Sequence, residues 1–519
     1  MELELDFRSL LIEKLIEMKN TNKLIDMKNT NTHLNLSKGI LRYTCLFLIS
    51  ISLFLVSCSD DLLIEKPGAL AEELFYNTIE EIEAATNAIY NPLNAQRVEQ
   101  IVILDTHTDW GYGRGSRADY NSFQGLNSAN TNNAERRWNS FYLGIRNANI
   151  VIKNASNAES LDQNEVNKYI GEAKFLRALG YFDLVRNWGS VPLRTVETMT
   201  DLEIEKSSVE MIYDFIIADL LAAEVSLPET QTQIGRPTKN SAKTMLADVY
   251  LTLGKFSEAR DKADEVIQSG KYSLVPVTNK ADFQDKLFGA DITTSPEEIF
   301  YFKCTRQEPY GNWILFVLNH ASTGNFNFGG AYAHYSDTTL PFYTNQNNAD
   351  IRKQLWDVVN FGAGATTLVC NKYRDTEAVA RGRGAGNDMP IYRYAEVLLI
   401  YAEASSMAGN GPTAQGIEAL NKVHRRAYGM NPNSASLVDY NLADYNKDTF
   451  LNLVLQERGY EFVFEGKRWY DLKRTGKARE IIEPAKGVII AEKHFLWPIP
   501  NSELNFNKAL DASDQNPGY

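Results

Sequence analysis

Six histidines, at positions 33, 107, 320, 334, 424 and 494, are scattered without a His-x-x-x-His pair, and the four cysteines form no Cys-x-x-Cys, so no metal-ligand spacing is present. There is no Gly-x-Ser-x-Gly elbow and no phosphate-cradling glycine loop. The acids best placed for general acid–base work are Asp105 and Asp109. A glycosidase holds two carboxyls at a fixed separation, whereas two acids in one loop fix none, so contact with sugar hydroxyls or solvent is the better expectation. Asp439, Asn441, Asp444, Asn446 and Asp448 lack the central glycine and closing glutamate of a calcium loop. No metal and no cofactor is expected. The chemistry on offer is recognition: Asp109, Trp110, Tyr112, Arg114 and Tyr120 lie in residues 101–131, and Trp313, Phe328, Tyr332, Tyr335 and Tyr343 in residues 272–389. Rings set among Gly and Asn, with planar polar groups between them, suit the flat faces and hydroxyls of a sugar. Trp110 is the first stacking candidate and Trp313 the second; the opposing expectation is that these rings fill a small core beneath the loops.

The elements that must hold those residues are helical. In residues 240–270, Leu246, Ala247, Tyr250 and Leu251 share one face, Gly254 stops the helix, and Phe256, Ala259, Ala263, Val266 and Ile267 make a second stripe. Two helices with so short a turn lie antiparallel, and the small residues resemble the tetratricopeptide pattern, whose hairpins must pack on further helices. A capping box of Thr78 and Glu81 opens a helix to about Tyr90, closed by Pro92, and Ser207 with Glu210 opens another to about Ser226. Further helices are expected near 138–152, 166–187, 391–408, 414–427 and 447–465, with an extended tail to Tyr519. Residues 101–131 read as a loop, and 272–389 as short strands and loops. The fold class is therefore mainly α: a tetratricopeptide-like helical hairpin scaffold at about 78–91, 135–270 and 391–475, carrying an irregular loop and short-strand insert.

Hydrophobic residues make up 44 % of the chain, enough for a sizeable core, and the net charge of -13 argues against a nucleic-acid surface. Residues 1–57 read as a removed signal region. Lys28, Lys38 and Arg42 precede an uncharged stretch too short for a comfortable membrane span. Met-Lys-Asn-Thr-Asn occurs at both Met18 and Met27, pointing to Met27 as the true start. Leu55-Val56-Ser57-Cys58 resembles a bacterial lipobox, which would leave Cys58 acylated and the chain anchored by lipid. Ser59-Asp60-Asp61 resembles an acidic surface-export tag. Cys304 and Cys370 read as small buried apolar residues, with pairing left open.

Five ordered blocks resemble the SusD/RagB family of Bacteroidetes surface lipoproteins. They are Ala173-Lys174-Phe175-Leu176-Arg177-Ala178 through Val191-Pro192-Leu193; Gly235-Arg236 with Thr238-Lys239 through Val249-Tyr250-Leu251; Tyr392-Arg393-Tyr394-Ala395-Glu396-Val397; Glu457-Arg458 through Phe464-Glu465-Gly466, Arg468-Trp469 and Asp471-Leu472; and Trp497-Pro498-Ile499-Pro500 to Gln515-Asn516-Pro517-Gly518-Tyr519. His424 departs from the family's usual arginine, and Tyr428 separates Arg426-Ala427 from Gly429. The resemblance implies residues 58–519 as one domain with four hairpins, and an outer-membrane lipoprotein partnering a SusC-type TonB-dependent transporter. It implies a glycan held in loops, a peptide or glycoprotein being the alternative; a surface glycosidase and a pure assembly scaffold are the remaining rivals. Arg393, Glu396, Glu457, Arg458, Glu461, Glu465 and Arg468 alternate in sign among apolar residues, a pattern of ion-pair networks between helices. Trp188, Trp469 and Trp497 are expected in the core.

Overall fold

Thr78 begins the first helix, α1 (Ile79–Ala95), by the expected capping box: its hydroxyl accepts from the Glu81 amide at 3.2 Å and Glu81 Oε2 accepts from the Thr78 amide at 3.1 Å. The computed structural model describes residues 75–124, 132–307, 310–319, 330, 334–360, 364–378 and 384–519, all within one compact unit, Glu72–Tyr519. Cys58, the proposed start at Met27, the export tag, Phe328 and Tyr332 lie outside the described residues.

Pro92 does not end α1. A proline inside a helix removes one N–H and orphans the carbonyl four residues back, here that of Ala88. The Asn147 amide of the facing helix donates to that carbonyl at 2.9 Å. Asn147→Ala is therefore expected to cost about 0.5–1 kcal/mol, and nothing in a Pro92→Ala background where the N–H returns. Urea unfolding of the four variants checks this coupling.

Residues 97–106 are a helix, α2 (Arg97–Thr106), and not the start of a loop. Every one of its residues is buried, and a helix buried all round shows no amphipathic period. The scaffold continues with α3 (Asn132–Ala155), α4 (Gln163–Trp188), α5 (Val209–Ser226), α6 (Lys239–Thr252), α7 (Phe256–Gln268), α8 (Tyr394–Ala408), α9 (Ala414–Ala427) and α10 (Lys447–Glu461). Each packs on the next in turn from α3 to α9; α1 lies on α3 and α4, and α10 on α8 and α9. The α6–α7 turn closes as the spacing requires, Gly254 taking φ +70°. The N-cap of α5 is Ser208, its side chain accepting from the Met211 amide; Ser207 instead ends the two-residue strand β3 (Lys206–Ser207), which pairs antiparallel with β2 (Val191–Pro192).

The insert is built of short strands. β4 (Glu298–Phe302) pairs antiparallel with β8 (Met389–Arg393), and a four-stranded sheet runs β1 (Tyr112–Gly113), β5 (His334–Asp337), β7 (Thr367–Cys370), β6 (Trp356–Val358). The tail is not simply extended: α11 (Arg468–Arg474) and α12 (Ala478–Lys486) precede a return across the scaffold. There Trp497 meets Trp188 edge-on at 4.9 Å, and Asn516 donates to the carbonyls of both. Trp188, Trp469 and Trp497 are core, as expected. Cys304 and Cys370 are unpaired and buried, and burial pushes their thiols up to about 11 and about 12.

Of the alternating charges, Arg393, Glu457, Glu461 and Glu465 form one buried network with Glu297, Arg352, Lys372 and Arg426; Glu396 and Arg458 pair separately with Lys467 and Asp471, and Arg468 with Asp109. Arg393 reaches Glu461 at 2.6 Å, Glu465 at 2.8 Å and Glu297 at 3.3 Å; Arg352 reaches Glu457 at 2.7 Å and Glu461 at 3.0 Å. His424 has Nδ1 at 3.0 Å from Glu457. Burial alone would raise the Glu457 carboxyl, but Arg352 and His424 outweigh it and hold it down to about 2, from an ordinary 4.5. A depressed carboxylate contributes stability that is full above its unfolded value and lost as pH falls through its folded one. The urea midpoint is thus expected to drop between pH 4.5 and about 2, with Glu457→Gln showing a shallower drop over that window.

Candidate functional site

Trp110, the first stacking candidate, is fully buried. Its ring is boxed by Phe464 at 5.0 Å, His334 at 5.2 Å, Trp356 at 5.7 Å and Phe342 at 5.9 Å, leaving no face for a ligand. Tyr120 is equally enclosed, against His107. Asp109 is clamped by Nε and Nη2 of Arg468, at 3.0 and 2.9 Å. Asp105 sits inside α2, where burial raises its carboxyl well above the ordinary range. These four are corrected to structural residues, and the glycosidase reading loses its acid pair. α2 draws Asp105 into the core and Arg468 of α11 pins Asp109 just beyond its end, beside Trp110; Tyr120 is buried on a separate short helix, Ala118–Ser122.

Tyr112 and Tyr335 come together. They face each other in register across β1 and β5, both partly exposed, with rings stacked at 5.4 Å and 23°. Lys486 supports the pair from α12, its ammonium 4.7 Å from the Tyr112 ring and donating to the carbonyls of Thr106 and Gly111. Burial pulls that ammonium down to about 7, against the opposing pull of Asp109. Arg114 lies at this edge and is exposed.

Trp313 lines a cleft of about 310 Å³ between α1, the loop before α6 and the chain following β4. It is partly exposed, and the Arg117 guanidinium, paired with Glu99 at 3.0 Å, lies 5.6 Å from its ring centroid. The side chain of Asn312 fixes the backbone just before the ring, accepting from the Ile314 amide at 2.9 Å and donating to the Asn387 carbonyl. Tyr310, which is 66 % exposed, stands beside it. The opposite wall is a row of asparagines on α1, Asn87, Asn91 and Asn94, with the Tyr90 ring between them. Spacings of four and three put the amides on one helical face. That repeat is a sequence signal, hidden when the helix is closed at Pro92.

The amides are oriented from behind. Arg236 donates to Asn87 Oδ1 at 2.7 Å and to Gln233 Oε1 at 2.5 Å, which turns the Asn87 N–H₂ toward the cleft. Among the described residues the Asn91 amide has no hydrogen-bond partner, and Asn94 spends only an N–H, on Cys304 Sγ at 3.8 Å. Donors, acceptors and aromatic faces therefore converge on one pre-formed hollow, the arrangement a polyhydroxylated ring requires. Among the described residues no group of His, Cys, Asp and Glu is arranged to hold a metal.

Fold and cleft together describe a helical-repeat scaffold presenting a hollow lined by rings and amides. The family model described as "SusD family" matches residues 320–519, and one described as "Starch-binding associating with outer membrane" matches residues 71–251. A SusD-like protein of Formosa agariphila is 30 % identical over 92 % of this chain and 100 % of its own length. The Starch-binding protein SusD of Bacteroides thetaiotaomicron is 23 % identical over 70 % of this chain and 74 % of its own. A crystal structure of a SusD superfamily protein from Parabacteroides distasonis superposes with a TM-score of 0.70 at 26 % identity, covering 87 % of this chain and 100 % of the other. The chain belongs to the SusD family.

Proposed function

We propose that this protein is a surface lipoprotein of the outer membrane that captures an oligosaccharide and passes it, uncleaved, to a SusC-type TonB-dependent transporter. One observation carries the capture step: Trp313 and Tyr310 face the asparagine row of α1 across a pre-formed cleft. The starch-binding description of the family model over residues 71–251, a range that includes that row, supports a glycan as ligand. Binding beside a transporter raises the local glycan concentration without new chemistry. Asp105 and Asp109, the former candidate pair, are buried and do not line the cleft.

Residues 1–57 are read as removed and 58–519 as the mature domain, tethered by acyl chains on Cys58. Cys58→Ser is expected to shift the protein from the membrane fraction to the soluble one, because a single engineered thiol loss removes the whole anchor. Retention on the cell exterior would contradict the tether. For the function as a whole, calorimetry on a glycan panel and co-purification from outer membranes form the test. Binding of a glycan and recovery of a transporter are expected; failure of both would contradict it.

A further inference from the structure

We propose that the cleft selects uncharged glycans, an inference that rests on reading the cleft as the capture site. Among the described residues, two charged side chains line it, and both are cations, Arg236 and Lys303. Taken alone they suggest a pocket for an acidic sugar, and their partners reverse that conclusion. Arg236 donates to Glu172 at 2.6 Å and Glu83 at 2.8 Å; Lys303 reaches Glu298 at 2.7 Å and Asp388 at 2.8 Å.

Each cation thus has two carboxylates behind it. Burial raises the carboxyls of Glu172, Glu298 and Asp388. Even with one acid of each pair protonated, each cluster is neutral, and with none protonated each is negative. Neither state leaves a net positive charge for a uronate or sulfate ester. Seating such a group on Arg236 would break charge-assisted bonds that also hold Asn87 and Gln233 in place. What remains on the cleft wall is dipolar: the amides of Asn87, Asn91, Asn94 and Gln233. The chain's net charge of -13 adds long-range repulsion against a polyanion.

Affinity electrophoresis of the full chain tests this, with laminarin, maltohexaose-bearing starch and galactomannan as neutral probes and alginate, polygalacturonate and carrageenan as anionic ones. Trp313→Ala and the surface variant Asn91→Ala report whether retention occurs in the cleft. The expected result is retention by a neutral polysaccharide only, reduced in both variants and changed less than about twofold between about 50 and 500 mM salt, because no ion pair is there to screen. Variant-sensitive retention by an anionic polysaccharide that collapses in salt would overturn the charge selection while leaving the cleft as the capture site. Retention untouched by both variants, or none on any probe, would overturn the capture site itself.

Discussion

Trp313→Ala is expected to weaken glycan binding by about 30-fold or more, with the thermal midpoint nearly unchanged. A buried aromatic anchor at the centre of an interface is worth about 2 kcal/mol or more on truncation, which is a factor of about 30. The ring is only partly buried in the unbound chain, so removing it costs the fold little. It is also held still: Asn312 fixes the preceding backbone and Arg117 lies by the ring, so little ordering is left for the ligand to supply. Trp110→Phe is the matching control. It keeps an aromatic in the box formed by Phe464, His334, Trp356 and Phe342, and should leave affinity unchanged. Calorimetry on both variants separates the two tryptophans; weakened binding in Trp110→Phe alone would reverse their roles.

Glu461→Gln is expected to destabilise the protein by about 3–5 kcal/mol, the usual cost of leaving buried charges without their counter-ion. The carboxylate accepts from Arg352, Arg393 and Arg426 at once, and all four groups are almost wholly buried. Arg393 sits at the start of α8, Arg426 on α9 and Glu461 at the end of α10, so this single acid ties three scaffold helices. Burial works against its ionisation, yet Arg426, Arg393 and Arg352 hold it well below the ordinary carboxylate range. Its contribution is therefore present at neutral pH and lost only in strong acid. A large fall in the urea midpoint checks the prediction, and an unchanged midpoint would mean the arginines find water instead.

The scaffold was legible because its helices carry an apolar stripe. The pair at residues 240–270 is found as α6 and α7, and α9 has its expected bounds. The charged positions were legible as a network because opposite signs recur among apolar neighbours. Legibility failed where burial was complete. α2 buries Arg97, Glu99, Gln100 and Asp105 alongside its apolar residues, so polarity marks no outer face and Asp105 reads as a loop residue; Asp109 and Trp110 do lie in the turn after α2, but buried. The contact that pins Asp109, to Arg468, joins residues 359 positions apart, and no local pattern encodes such a pairing. Pro92 produced the opposite error. Its lost hydrogen bond is replaced by Asn147 from another helix, so α1 runs on and carries Asn91 and Asn94 into the cleft. Half the cleft was thus written in the sequence as Asn87, Asn91 and Asn94, and became readable only once the helix was known to continue.

Under the proposed capture, sugar is held at Trp313 between α1 and the chain following β4. A crystal structure with a bound oligosaccharide tests it most directly. A pyranose ring stacked on Trp313 with hydroxyls bonded to Asn91 or Asn94 is the predicted result. A ligand resting on the Tyr112–Tyr335 pair, with the cleft empty, would contradict it.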